Sequence, residues 1–314
     1  MSGQIAKLET AEIVKAEPTL SQIVANFINA QDVKPSSRAL YSRTIKQYFD
    51  WIAKEEIDLS HVTRVEILNY KQALLDEGLS PLTVGSYITV VRKFYEWAEA
   101  NKFYPNVAKG VKTPRRKQQF LKQALTPESG KDLLQYFEHR AKRDFAIVNL
   151  LIRTGLRTIE VSRANIEDIV FKGGKRVLMV HGKGRDSKDS FVILTDKTYQ
   201  PIRDYLATRP MAKGGEPLFT STSNNSKGVT LTTRTISGIV KDGLKAIGLD
   251  SKEFTAHSLR HTTAVNILRA GGRIEDAQGV LRHSSPTTTQ IYTHTIAEEM
   301  RIKNAPEELI DSLM

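Results

Sequence analysis

Apolar positions recur at helical spacing through most of the first hundred residues. From Leu20 onward, Ile23, Val24, Phe27 and Ile28 fall on one face, as a 3.6-residue period requires. Pro35-Ser36-Ser37 then opens a segment carrying Leu40, Tyr41, Ile45, Tyr48, Phe49 and Ile52, because proline is tolerated in the first helical turn. A third helix is expected from Arg64 to Leu75 with its stop at Gly78. A fourth starts at Ser80-Pro81 and carries Val84, Tyr87, Ile88, Val91, Tyr95 and Ala98. Together they predict a compact helical domain over residues 19–104, with its aromatic residues in the core rather than stacked on bases. Residues 1–18 hold no sustained apolar period and are expected as a loose arm.

Beyond residue 123 the pattern is mixed. Thr126 is placed to cap a helix whose first turn holds Pro127 and Glu128. The segment from Arg143 to Arg153 is nearly continuous apolar and must lie in the middle of a domain, ending at Gly155. Residues 166–194 switch to strand character, as IEDIVF, RVLMVHG and SFVIL separated by KGGK and KGRDSKD turns, which predicts a three-stranded antiparallel meander. Helical period returns at Tyr199–Leu206, at Thr232–Ile247 and from Ala256 to a stop at Gly271-Gly272. A short helix is then expected over 273–281 and another from Ser285-Pro286, with Tyr292 on its last turn. The expected fold class is therefore mostly α with a small antiparallel β-meander. The helical domain is followed by an α+β domain over 123–314, whose tail, 303–314, includes the amphipathic EELIDSLM.

Charge narrows the choice of partner. Lys and Arg number 46 against 35 Asp and Glu, a net charge of +11, which favours a polyanion or an anionic surface. No apolar run approaches the roughly 18 residues of a membrane span, and the charged first residues do not read as a signal peptide. With no cysteine in 314 residues, thiolate metal sites, disulfides and a cysteine nucleophile are excluded, in keeping with a reducing, cytoplasmic setting. Residues 101–123 hold cations and not one acid. The stretch 105–122 is expected as a basic linker, either solvated or lying along a phosphate backbone, with Lys109, Lys112, Arg115, Arg116, Lys117 and Lys122 as DNA-contact candidates.

One stretch, Ala256–His294, gathers groups suited to attack on a phosphodiester. His257 and Arg260 stand three residues apart at a helix start, where free N–H groups and positive partial charge suit a phosphate. Arg157 follows the buried segment directly, with Glu160 three residues on, so its guanidinium is held more rigidly than one on the surface. Lys183 sits in a Gly-Lys-Gly hairpin tip that Lys188, a further DNA-contact candidate, shares. The i, i+4 spacing of His257 and His261 is also that of zinc ligands, but Ser258 stands where a metalloprotease has its glutamate and no third ligand is in sequence, so no metal is expected.

The ordered set Arg157, Lys183, His257, Arg260, His283 and Tyr292 closely resembles the tyrosine recombinase, or phage integrase, family. Its markers are TGLRTIE (154–160), HGKG (181–184), HSLRH (257–261), LRH (281–283) and TTTQIYTH (287–294). The resemblance covers residues 123–300, and it makes the first domain similar to that family's SAM-like core-binding domain. Arg282 departs from the family's usual glycine, and Ala164 stands where leucine is more common.

Chemically, Arg157 and Arg260 can hold non-bridging oxygens, and Tyr292 is the expected nucleophile. Lys183 can protonate the departing deoxyribose oxygen. His257 can take the tyrosine proton or bond the phosphate, and His283 can hold an oxygen. Glu160 and His261 would support them. The resemblance implies a 3′-phosphotyrosine that conserves bond energy without a cofactor. It also implies specific double-stranded DNA as partner and a homo-tetramer in the synapse. Off DNA, a monomer or weak dimer is expected, and the tail is expected to dock on a neighbouring subunit. A type IB topoisomerase shares the chemistry, and a catalytically silent DNA-binding relative shares the fold. At this length no added arm-binding domain is expected.

Overall fold

The computed structural model describes residues 18–115, 123–181, 187–282, 292, 296–297, 301–302, 306–311 and 313. The chain divides into two compact units, Met1–Gln118 and Gln119–Met314.

Four helices form the first unit: α1 (Leu20–Asn29), α2 (Pro35–Lys54), α3 (Arg64–Asp76) and α4 (Pro81–Ala100). Each start has a local cause. Thr19 and Gln22, and Thr63 and Glu66, form reciprocal capping boxes, and Ser80 accepts from the Thr83 N–H, satisfying donors a helix start leaves free. The aromatic residues of the four helices are core or packed against it. Phe27, Tyr48, Tyr70, Phe94 and Tyr95 are buried, and the Tyr48 and Tyr95 hydroxyls lie 2.8 Å apart, so the phenols satisfy each other inside the bundle. This core takes in Ala108 and Val111 as well, and the Arg64 guanidinium donates to the Lys109 and Gly110 carbonyls. The helical unit thus continues through the first part of the segment expected as a linker. Two apolar side chains there find a pocket between helices, while the exposed Lys109 and Lys112 beside them keep the stretch looking like solvent-facing chain.

In the second unit, α5 (Pro127–Glu138), α8 (Asp196–Leu206) and α10 (Ala256–Arg269) pack around α6 (Lys142–Thr154). Residues Ala146–Leu151 of α6 are all buried, as the continuous apolar run requires. α8 begins three residues earlier than its apolar period, at a turn opened by Thr195, and it keeps Pro201 inside. A proline there has no N–H for the Lys197 carbonyl one turn back. The Asn149 side chain of α6 donates to that carbonyl at 3.0 Å, which ties the two helices together.

The meander is present as β1 (Ile169–Lys172), β2 (Lys175–Val180) and β3 (Ser190–Ile193), antiparallel in that order, with Leu178 opposite Val192. Leu178, Val180 and Val192 face the core. The first strand is shorter than its IEDIVF pattern predicts, because Ile166–Asp168 forms a 3₁₀ turn. There Asp168 turns inward to accept the Asn165 N–H at 2.7 Å, and a local side-chain bond of this kind competes with a ladder. Further short helices are α7 (Thr158–Ser162) and α11 (Ile274–Leu281), with the longer α9 (Thr233–Ala246) between them and α12 (Pro306–Asp311) in the tail. Ile310 and Leu313 are exposed. The helix expected from Ser285-Pro286 lies outside the described residues. Among those residues, no helix is long and apolar enough to cross a membrane.

Candidate active site

The site forms where the ends of α6 and α11 meet the first turns of α7 and α10. α6 stops at Gly155, whose φ of +61° is left-handed and free of strain only for glycine. A Cβ at this position would lie 2.4 Å from Leu281 Cδ2 and 3.3 Å from Thr263, so the helix end is wedged between α10 and α11. Thr263 reinforces the wedge by donating to the Ile152 carbonyl at 2.9 Å.

Arg260 of α10 occupies the junction and is 1% exposed. Its two terminal nitrogens donate to the Gly155 and Leu281 carbonyls, groups that a helix C-terminus leaves without an intrahelical partner and with partial negative charge. Burial, and then the nearby Arg157 charge, push this guanidinium down to about 9, which leaves it a cation at neutral pH. Carbonyl dipoles rather than carboxylates hold it, so much of its charge stays available to a substrate anion.

Arg157 caps α7. Its backbone N–H donates to Glu160 Oε2 at 2.7 Å and its guanidinium to Oε1 at 3.1 Å. Glu160 is 5% exposed and also accepts from Arg282 at 2.9 Å. Glu160, expected to support Arg157 or a neighbouring histidine, thus bonds Arg157, and a second arginine on the same carboxylate was not foreseen. Arg157, Arg260 and His257 line one cleft of about 700 Å³. Arg234, Ser237 and Lys241 of α9 border it too, and no motif in the sequence singles these three out. Lys241 bonds the Ser251 carbonyl at 2.7 Å and pairs with Asp250 at 3.0 Å, which leaves Arg234 as the cation that α9 offers to the cleft.

Tyr292 is 2% exposed, its ring set among Ala264, Val265, Ala277 and Leu281. The His261 ring meets it edge to face with 5.1 Å between centroids, and His257 meets His261 in the same way at 4.8 Å. Burial pushes the phenol up, while the Arg260 and Arg157 charges pull it down.

Lys183 and His283, with the linker candidates Arg116, Lys117 and Lys122, lie outside the described residues. Lys109, Lys112 and Arg115 are exposed. Lys188, read as a DNA contact, instead places its ammonium 2.6 and 2.7 Å from the two oxygens of the buried Asp168. Its charge is spent within the chain, where it fastens the strand after the hairpin to the 3₁₀ turn before the sheet.

The phage integrase family profile matches residues 123–299, and that of the phage integrase N-terminal SAM-like domain matches residues 25–102. A tyrosine recombinase XerC from Pelobacter propionicus is 29% identical over 293 residues, covering 90% of this chain and 94% of the relative. A tyrosine recombinase XerD from Corynebacterium glutamicum is 29% identical over 277 residues, covering 83% and 88%. Among solved structures, a XerH site-specific recombinase bound to a palindromic difH substrate in a post-cleavage complex has a TM-score of 0.72 at 20% identity, covering 92% of this chain and 84% of that one. A lambda integrase dimer bound to a COC′ core site gives 0.66 at 19%, covering 88% and 95%. At such identities the structural likeness speaks for the fold, and the family follows from the match over the greater part of the sequence: this chain belongs to the phage integrase family, the tyrosine recombinases.

Proposed function

We propose that this chain is a site-specific tyrosine recombinase that cleaves and rejoins double-stranded DNA through a covalent link to Tyr292. The observation that carries the reading is the ring of Tyr292 set against His261, whose own ring meets His257, at the edge of a cleft that His257 shares with Arg157 and Arg260. The relatives' recombinase names favour this reading over simple DNA relaxation.

Tyr292 Oη attacks the scissile phosphorus, a new P–O bond forms, and the bond to the 5′ oxygen breaks. Lys183 gives its proton to that oxygen, and His257 takes the proton of the phenol. Arg157 and Arg260 hold the non-bridging oxygens as charge develops on them, joined by His283. The 3′-phosphotyrosine keeps the energy of the broken bond, so a 5′-hydroxyl from a partner duplex reverses the step and no cofactor enters. In the same reading, the helical unit and the cations from Lys109 to Lys122 bind the flanking duplex. Strand exchange takes place in a DNA-bound tetramer that assembles from monomers or weak dimers.

The test uses a duplex selected from random sequence by binding to the parent chain and nicked so that cleavage is trapped. The parent forms a covalent adduct that survives denaturation. Tyr292→Phe abolishes it while holding DNA affinity within about threefold, since the lost hydroxyl belongs to the reaction more than to binding. Equal adduct from both proteins would reject the assignment.

A further inference from the structure

Arg282 stands at the end of α11 with φ +54°, a conformation in which a side chain is strained and glycine is not. The turn alone gives no reason for an arginine. The side chain nevertheless folds inward, to 12% exposure, and its Nη2 donates to Glu160 Oε2 at 2.9 Å while Nη1 donates to the Val280 carbonyl at 2.9 Å. Its buried Nε has no hydrogen-bond partner among the described residues.

Glu160 is shared. The oxygen that takes Arg282 also takes the Arg157 N–H, and the other oxygen takes the Arg157 guanidinium. Pulling on one oxygen therefore fixes the plane of the carboxylate, and that plane sets where the Arg157 guanidinium points. The residue just before Arg282 adds a second link, because the Leu281 carbonyl accepts from Arg260. Two adjacent residues at the end of one helix thus reach both guanidiniums of the cleft. Charge points the same way: three arginines surround a single carboxylate, and Arg157 and Arg282 both depress Arg260. Such a cluster is short of negative charge until an anion of the phosphate class arrives.

We propose that Arg282 is a positioning residue that works through Glu160, holding Arg157 in the geometry that favours the transition state over the bound phosphodiester. This rests on the reading of the cleft as a phosphoryl-transfer site. An interaction of this kind is expressed in the cleavage rate at saturating enzyme more than in DNA affinity.

The experiment compares the parent with Arg282→Gly, Arg282→Asn and Arg282→Lys on the trapped duplex described above, measuring single-turnover cleavage, equilibrium binding and melting temperature. Glycine and asparagine both accept the left-handed backbone, so both variants keep the fold. Each is expected to cleave about tenfold more slowly at saturation, with affinity changed less than about threefold. Lysine, which keeps the charge but only one point of attachment, falls between them and the parent. Cleavage within twofold of the parent by the glycine and asparagine variants would overturn the proposal. So would a rate loss matched by an equal loss of affinity, or one that follows the melting temperature across the three variants. A parent chain that forms no adduct would instead defeat the recombinase reading, and this inference with it.

Discussion

At the scale of single residues, the site depends on side chains and carbonyls that hold one another across long stretches of chain. Gly155 shows how tight the arrangement is, since its carbonyl fixes Arg260 while its missing Cβ admits Leu281. Gly155→Ala combines a left-handed backbone with a contact that Leu281 must yield to. It is expected to cost about 2–3 kcal/mol in urea unfolding and to slow cleavage at least tenfold by shifting Arg260. An alanine variant as stable and active as the parent would show that the wedge does not position the guanidinium. The motifs placed Arg157, Glu160, His257 and Arg260 in sequence, and the structure brings Arg157 and Glu160 into contact and sets Arg157, His257 and Arg260 on one cleft. The role of Arg282 was not legible in the motifs. Its partner lies 122 positions away, and a departure from glycine reads in sequence only as a doubtful turn.

Among the elements, helices were the legible part, because their caps and periods are local: Thr63 with Glu66, Ser80 with Pro81, and the apolar run of α6 could all be seen in the residues themselves. Errors came where a long-range bond outweighed a local pattern. The first strand starts late because Lys188, 20 positions on, claims the Asp168 carboxylate, adding to the local bond from the Asn165 N–H. Ala108 and Val111 left the linker for a core whose space sequence does not display. One element invites its own test. α12 and the chain just beyond it expose Ile310 and Leu313, apolar surface that gains free energy when covered. Within the proposed tetramer, we propose that the tail packs on a neighbouring subunit. Removing residues 306–314 is expected to preserve adduct formation on the nicked duplex but to reduce assembly of paired sites on a native gel by at least about tenfold. Synapsis unchanged by the truncation would place the subunit contacts elsewhere.

For the molecule as a whole, a net charge of +11 and two units matched by the two integrase domain profiles agree on a polyanionic partner, and the composition alone pointed there before any motif was considered. Association driven by such charge weakens with salt. Chemistry that leans on the buried Arg260 and the half-buried Arg157 depends on it less, because such groups are partly shielded from the ions that screen a surface. The account stands or falls on one covalent bond. The parent chain is incubated with the nicked duplex, the trapped adduct is digested with protease and nuclease, and the modified peptide is sequenced by mass spectrometry. The account predicts a nucleotide joined through its 3′ phosphate to Tyr292 and to no other residue. A link to a different side chain, or attachment through a 5′ phosphate, would contradict it.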